Sequence, residues 1–164
     1  MFGSRLRGSM KIAIGADHNG FALKEALIAA LKKSGYQVED VGTFSSGAVD
    51  YPDIAEKVGE SVVEKHAERG VLICGTGIGM SIAANKVNGV RAALCHDELA
   101  AQRAREHNDA NVLCLAGSTD PTAAQKLLQR FLTTPFDGEK AEGVRHSARV
   151  AKIAKLEQQP KKVR

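Results

Sequence analysis

The sequence predicts an α/β fold: a doubly wound sandwich on a five-stranded parallel sheet, with an extra helix at the C-terminal end. Three observations predict it. Five short apolar runs alternate with segments whose apolar residues recur at helical spacing, the pattern of a parallel sheet covered on both faces. Gly, Pro, Asp or Asn punctuates the junctions between them. The chain has 164 residues, 43% hydrophobic and 26% charged, enough for one domain with its own core. That domain, a Rossmann-like sandwich, is expected over residues 10–158. Met1–Ser9 reads as a tag or disordered extension ahead of a start at Met10, and Gln159–Arg164 as a disordered basic tail.

Lys11–Gly15 is the first strand. Phe21, Leu23, Leu27, Ala30 and Leu31 then recur at helical spacing up to Gly35. Tyr36–Val41 alternates as a strand does, and Thr43–Asp50 is a Gly- and Ser-containing loop. Tyr51-Pro52-Asp53 opens the second helix, with proline in the first turn, where its missing N–H is harmless. Ile54, Ala55, Val58, Ser61 and Val62 fall on one side of it. Val71–Cys74 is the third strand and Gly79–Val87 its helix. Arg91–Cys95 is the fourth strand, followed by a helix from Asp97 to Glu106, and Asn111–Leu115 is the fifth. Asp120 before Pro121 is an N-cap with proline at the first helical position, starting the helix Ala123–Leu132. After the polar loop Thr134–Gly143, Val144–Gln158 is a strongly cationic helix with Val150, Ile153 and Leu156 as its apolar stripe. That stripe is thin for a core helix and is expected to pack on another subunit.

The net charge of +4 suggests nucleic acid, but its placement does not. Arg5, Arg7, Lys161, Lys162 and Arg164 lie in the terminal segments, and setting those five aside turns +4 into −1 for the body. No apolar run approaches the roughly 20 residues of a membrane span, and Met1–Ser9 lacks an apolar signal core. Neither nucleic acid nor membrane is expected as a partner, and the expected location is cytoplasmic. The three cysteines, Cys74, Cys95 and Cys114, are an odd number without close pairing, which suits a reducing compartment. No Cys/His spacing reads as a zinc site.

Val71–Met80 carries the most chemistry. The strand stops at Cys74, and Gly75, Thr76, Gly77, Ile78 and Gly79 lead into a helix. A junction of this kind gathers N–H groups and a helix dipole, so it suits an anion. Its glycines are spaced G-x-G-x-G, with Met80 where a dinucleotide fingerprint needs its third glycine, and the loop follows the third strand instead of the first. A smaller anion, a phosphate or an enediolate, fits better. Two readings of Cys74 stand side by side: a small hydrophobe ending a buried strand, and a base or nucleophile at a helix N-terminus. Cys95 and Cys114 read as core thiols.

Asp17-His18 is either a helix start capped by Asp17 or Asn19, or an acid/base pair. Doubly wound sheets bind ligands at the carboxyl ends of their strands. That rule groups Asp17-His18, Cys74–Gly79 and His96-Asp97 along one edge. His107-Asn108 follows the fourth helix and falls on the opposite edge, so it joins such a site only from a neighbouring chain. Arg145 and Arg149, four apart, share a helix face, either as a solvated cationic surface or as a fork for phosphate.

In this order and spacing, several segments together resemble the type B ribose-5-phosphate isomerases, whose relatives include galactose-6-phosphate isomerase subunits. They are Gly15-Ala16-Asp17-His18-Asn19-Gly20, Asp50-Tyr51-Pro52, Ile73–Gly79, Ser81–Lys86, Arg91-Ala92, His107–Val112 and Arg145–Val150. The resemblance runs from Met10 to Leu156. It implies a metal-free aldose–ketose isomerase without a cofactor, interconverting ribose 5-phosphate and ribulose 5-phosphate through a cis-enediol(ate). It makes Cys74 the base that moves a proton between carbons one and two. Thr76 and the N–H groups of Gly75, Gly77, Ile78 and Gly79 would hold the enediolate oxygen. His107 would open the furanose ring, with Asp17 assisting. His18, Tyr51, Asn85, Asn108, Arg145 and Arg149 would hold the sugar and phosphate. A homodimer or tetramer with sites shared between subunits is also implied.

One departure bears on substrate. Many relatives carry an arginine after the glycines that follow the fifth strand, whereas Ala116-Gly117-Ser118-Thr119 places Ser118 there. Allose 6-phosphate, galactose 6-phosphate or a tetrulose 4-phosphate are therefore alternative substrates, and a non-catalytic sugar-phosphate-binding protein is the alternative class.

Overall fold

The computed structural model describes residues 10–158, so the expected extension and basic tail lie outside the described residues. The chain order is β1 (Lys11–Ala16), α1 (Phe21–Lys33), β2 (Gln37–Gly42), α2 (Tyr51–Val63), β3 (Arg69–Cys74), α3 (Ile78–Ala84), β4 (Ala92–Leu94), α4 (Glu98–Asn108), β5 (Val112–Ala116), α5 (Pro121–Thr133) and α6 (Val144–Glu157). The strands form one parallel sheet in the order β2-β1-β3-β5-β4.

Alternation along the central strands sorts the core into two layers. Ile12, Ile14, Val71, Ile73, Leu113 and Leu115 face α1, α4 and α5, meeting Leu23, Leu27, Leu31, Ala101, Leu128 and Phe131. Ala13, Leu72, Cys74, Val112 and Cys114 face α2 and α3, meeting Ile54, Val58, Val62, Met80 and Ala84. Both faces are thus covered, which is why these strands read as nearly continuous apolar runs. Cys95 and Cys114 are buried within these layers.

Local signals account for most boundaries. Asp97 caps α4 by accepting the Ala100 N–H at 2.7 Å, and Asp120 caps α5 by accepting the Ala123 N–H at 3.0 Å. Two elements are shorter than the sequence suggests. α3 ends at Ala84, short of Val87, because Asn85 turns its amide onto Ala92: its N–H2 donates to the Ala92 carbonyl and its oxygen accepts the Ala92 N–H, both at 2.9 Å. β4 keeps only Ala92–Leu94 of the expected Arg91–Cys95, as a half-exposed strand at the sheet edge. The polar loop before α6 contains two short 3-10 turns, Asp137–Glu139 and Ala141–Gly143. Among α6 residues only His146 is buried, while Ile153 and Leu156 are 40% and 65% exposed. Among the described residues no helix is long and apolar enough to cross a membrane.

Strand order places the site. From β1 the chain moves outward to β2, then returns to β3 on the other side of β1. The direction of winding reverses between β1 and β3, so the crevice at their carboxyl ends is the expected ligand position. The loops after β1, β3 and β5 converge there. The Asp17 N–H donates to the Ile73 carbonyl at 3.0 Å, and the Gly117 N–H to the Cys74 carbonyl at 2.7 Å.

Candidate active site at the β1–β3 crevice

Cys74 is the last residue of β3 and 5% exposed. Its Sγ accepts the Gly77 N–H at 3.1 Å. Gly77 makes this possible by adopting a left-handed backbone, φ +76°, at the start of α3. A side chain there would press on β5: a Cβ would lie 2.9 Å from the Leu115 carbonyl. The Ile78 N–H donates to Thr76 Oγ1 at 3.3 Å. The N–H groups of Gly75, Thr76 and Gly79 have no partner among the described residues. The loop therefore presents a thiol beside three free backbone donors, with Gly75 and Thr76 exposed. This division of labour is finer than the sequence pattern indicates, since the donors of Gly77 and Ile78 are already engaged.

Around this loop sit three of the other expected residues. Asp17 is buried, and its Oδ1 accepts the N–H groups of Asn19 and Gly20 at 2.9 and 3.1 Å, the capping arrangement. His18 is exposed; its Nδ1 accepts the Val49 N–H at 3.5 Å. Tyr51 opens α2 and packs its ring against Gly79, where a Cβ would lie 2.7 Å from the ring. The β5 loop follows close by, because Gly117 packs on the Asn19 carbonyl, and its Ser118 is exposed.

The remaining expected residues are elsewhere. His96-Asp97 lies at the carboxyl edge but follows β4, which β5 separates from β3, and Asp97 is engaged as a cap. Asn85 is exposed at the far end of α3, with its amide tied to Ala92 and to the Ser81 carbonyl. His107 and Asn108 end α4 at the amino edge of the sheet, where Arg91 Nε donates to the Asn108 carbonyl at 3.2 Å just before β4. Arg145 and Arg149 lie exposed on α6 beside them.

At that second edge the His107 ring stacks on His146, with centroids 4.2 Å apart and planes 4° from parallel. Burial, then the neighbouring His107 and the arginines of α6, push His146 below the usual histidine range. Arg103 Nη1 lies 3.3 Å from His107 Nε2 and 2.8 Å from Glu106 Oε2. Neither His146 nor Arg103 stood out in the sequence, because the contact joins α4 to α6 across a long loop and no local spacing records it.

A thiol and an N–H-lined loop at the switch point of a parallel sheet define an α/β enzyme class that handles small anionic substrates. The chain belongs to the ribose/galactose isomerase family, whose model matches residues 12–153. Its fold matches Clostridium thermocellum ribose-5-phosphate isomerase B with a TM-score of 0.86 and 46% identity, covering 91% of this chain and 98% of that one. Ribose-5-phosphate isomerase B of Escherichia coli is 43% identical over 148 residues, 90% of this chain and 97% of its own length. A D-erythrulose-4-phosphate isomerase of Pectobacterium atrosepticum is 41% identical over 131 residues, 79% of this chain and 86% of that protein.

Proposed function

We propose that this protein is an aldose–ketose isomerase interconverting ribose 5-phosphate and ribulose 5-phosphate, with Cys74 as its base. The observation that carries the reading is the Cys74 sulfur held by the Gly77 N–H at 3.1 Å beside the unpartnered donors of Gly75, Thr76 and Gly79. His107 donates a proton to the ring oxygen, and the anomeric hydroxyl releases its proton to solvent, as the furanose C–O bond opens to the aldehyde. Cys74, as thiolate, takes the proton from carbon two, and the electron pair moves toward the carbonyl to give the cis-enediol(ate). The free N–H groups and Thr76 stabilise the oxygen that gains charge, a contribution of about 3–4 kcal/mol per donor where such donors have been removed. The 2-hydroxyl proton passes to the carbon-one oxygen, and return of the abstracted proton to carbon one gives the ketose and regenerates the thiolate. Asp17 orients the β1 loop that carries His18, and His18, Tyr51, Asn108, Arg145 and Arg149 hold the sugar and phosphate.

Cys74 and His107 lie on opposite edges of one sheet, so one chain does not complete the site. A homodimer, or a tetramer of such dimers, brings the His107 edge of one copy to the Cys74 edge of its partner. Mixing Cys74→Ala with His107→Ala protein tests this directly. Random exchange of subunits should restore about a quarter of wild-type activity, since half the dimers are hybrids and each hybrid has one intact site. No recovery after verified exchange would place both residues in one chain's site or outside it. A tetrulose 4-phosphate is the second substrate reading, favoured by Ser118 and by the erythrulose-phosphate relative. A preference for ribose 5-phosphate of a hundredfold or more in kcat/KM would reject it.

A further inference from the structure

We infer that Lys24 is a positioning residue for the substrate side of the crevice, through the loop between β2 and α2; the inference rests on the isomerase reading above. Lys24 belongs to α1, yet its side chain is completely buried. Its Nζ donates at 2.7 Å to Asp40 Oδ2 on β2 and at 2.7 Å to Glu25 Oε1. The same Nζ lies 5.5 Å from the Phe21 ring centre and 5.8 Å from that of Phe44. Burying an ammonium is costly unless it is paired, and an apolar side chain of equal length would fill the space without that cost. A methionine could not hold a carboxylate and face two aromatic rings with a positive charge.

The ties made by this one group lead to the site. Asp40 uses its other oxygen to accept the Gly42 N–H at 3.0 Å. Two residues on, the Phe44 ring, 71% exposed, lies against Gly42 and faces the Lys24 charge. The loop then runs through Val49, whose N–H reaches His18, to Tyr51, whose ring covers Gly79 in the cysteine loop. Lys24 thus fixes the departure of a segment whose far end touches His18 and Tyr51. It makes no contact with Cys74 or the donors beside it, so its loss should weaken substrate holding and spare the proton transfer.

The test uses the full chain, which contains no tryptophan, with Phe44→Trp as a single fluorescent reporter. Lys24→Met, Asp40→Asn and the double variant are made in that background. Lys24→Met is expected to raise KM for ribose 5-phosphate about tenfold, the effect of one lost positioning contact, with kcat within about threefold. The fast component of the reporter's anisotropy decay should grow in parallel. The double variant leaves only Glu25, an exposed carboxylate, without its lysine, so its stability recovers while KM stays high; it also serves if Lys24→Met does not fold. A purely structural lysine would lower the amount of folded enzyme without moving KM. Unchanged KM in a folded Lys24 variant, or loss of kcat alone, overturns the inference. If neither the wild-type chain nor the Phe44→Trp parent turns over ribose 5-phosphate, the isomerase reading fails instead, and the anisotropy still decides whether Lys24 holds the loop.

Discussion

Replacing Gly77 with alanine should damage stability and chemistry together, for reasons that can be worked from its surroundings. The residue has φ +76°, a left-handed conformation costing an L-residue about 1–2 kcal/mol. Its new Cβ would sit 2.5 Å from Leu94 Cδ1 and 2.9 Å from the carbonyl of Leu115. The leucine methyl can swing away, but the carbonyl belongs to the ladder joining β5 to β3 and cannot yield without disturbing the sheet. Overpacking of this kind costs about 1–3 kcal/mol. The expected loss is therefore about 2–5 kcal/mol, read as a fall in the denaturant midpoint at unchanged slope. Relief of the strain would rotate the Gly77 N–H away from Cys74 Sγ and displace the neighbouring donors. Loss of an aligned donor costs on the order of a hundredfold in kcat. A Gly77→Ala protein within about 0.5 kcal/mol of wild type and with wild-type kcat would refute both the strain and the assigned loop role.

Other expectations follow from the same geometry. Cys74→Ala should abolish isomerisation and leave circular dichroism unchanged; measurable turnover would remove the thiol from the mechanism. Iodoacetamide at pH 8 should label Cys74 alone in the folded protein, because burial pushes Cys95 up to about 11 and Cys114 higher still; peptide mass spectrometry checks this. Asp97→Ala and Asp120→Ala should each cost about 1 kcal/mol through loss of a helix cap, measured by urea unfolding. Acid should act through His146, whose folded form is held below 6.5 by burial and by His107. Below that pH the unfolded chain binds the proton that the folded chain resists, so acidification favours unfolding. The thermal midpoint should fall more steeply between pH 7.5 and 5.5 in wild type than in His146→Phe, and equal slopes would contradict the assignment.

What could be seen in the sequence was what depends on neighbours along the chain. Asp120-Pro121 announces its helix because a cap and a fixed φ act within three residues. Apolar runs announce the central strands because both faces are covered. Strand order was not visible, since pairing β5 between β3 and β4 is a long-range choice that leaves no local mark. For the same reason the sequence does not show that the Asn85 amide is the clamp that ends α3 on Ala92. Asp17 displays the cap that one of its two readings required, and that cap is how the β1 loop is shaped.

The placement of Cys74 and His107 on opposite edges of the sheet was legible, and the reason is topological. In a parallel sheet every helix returns the chain to the amino edge, so a residue's edge can be told from whether it follows a strand or a helix. Cys74 follows β3 and His107 ends α4, and no rearrangement of side chains within one chain can cross the length of a strand. α6 points the same way. Its exposed Ile153 and Leu156 lie on the helix that carries Arg145 and Arg149. If the proposed dimer covers that apolar stripe and brings the His107 edge to a partner's crevice, assembly is tied to activity. Dilution should then lower specific activity as subunits separate, and activity constant per chain through a measured dissociation would show that each chain works alone.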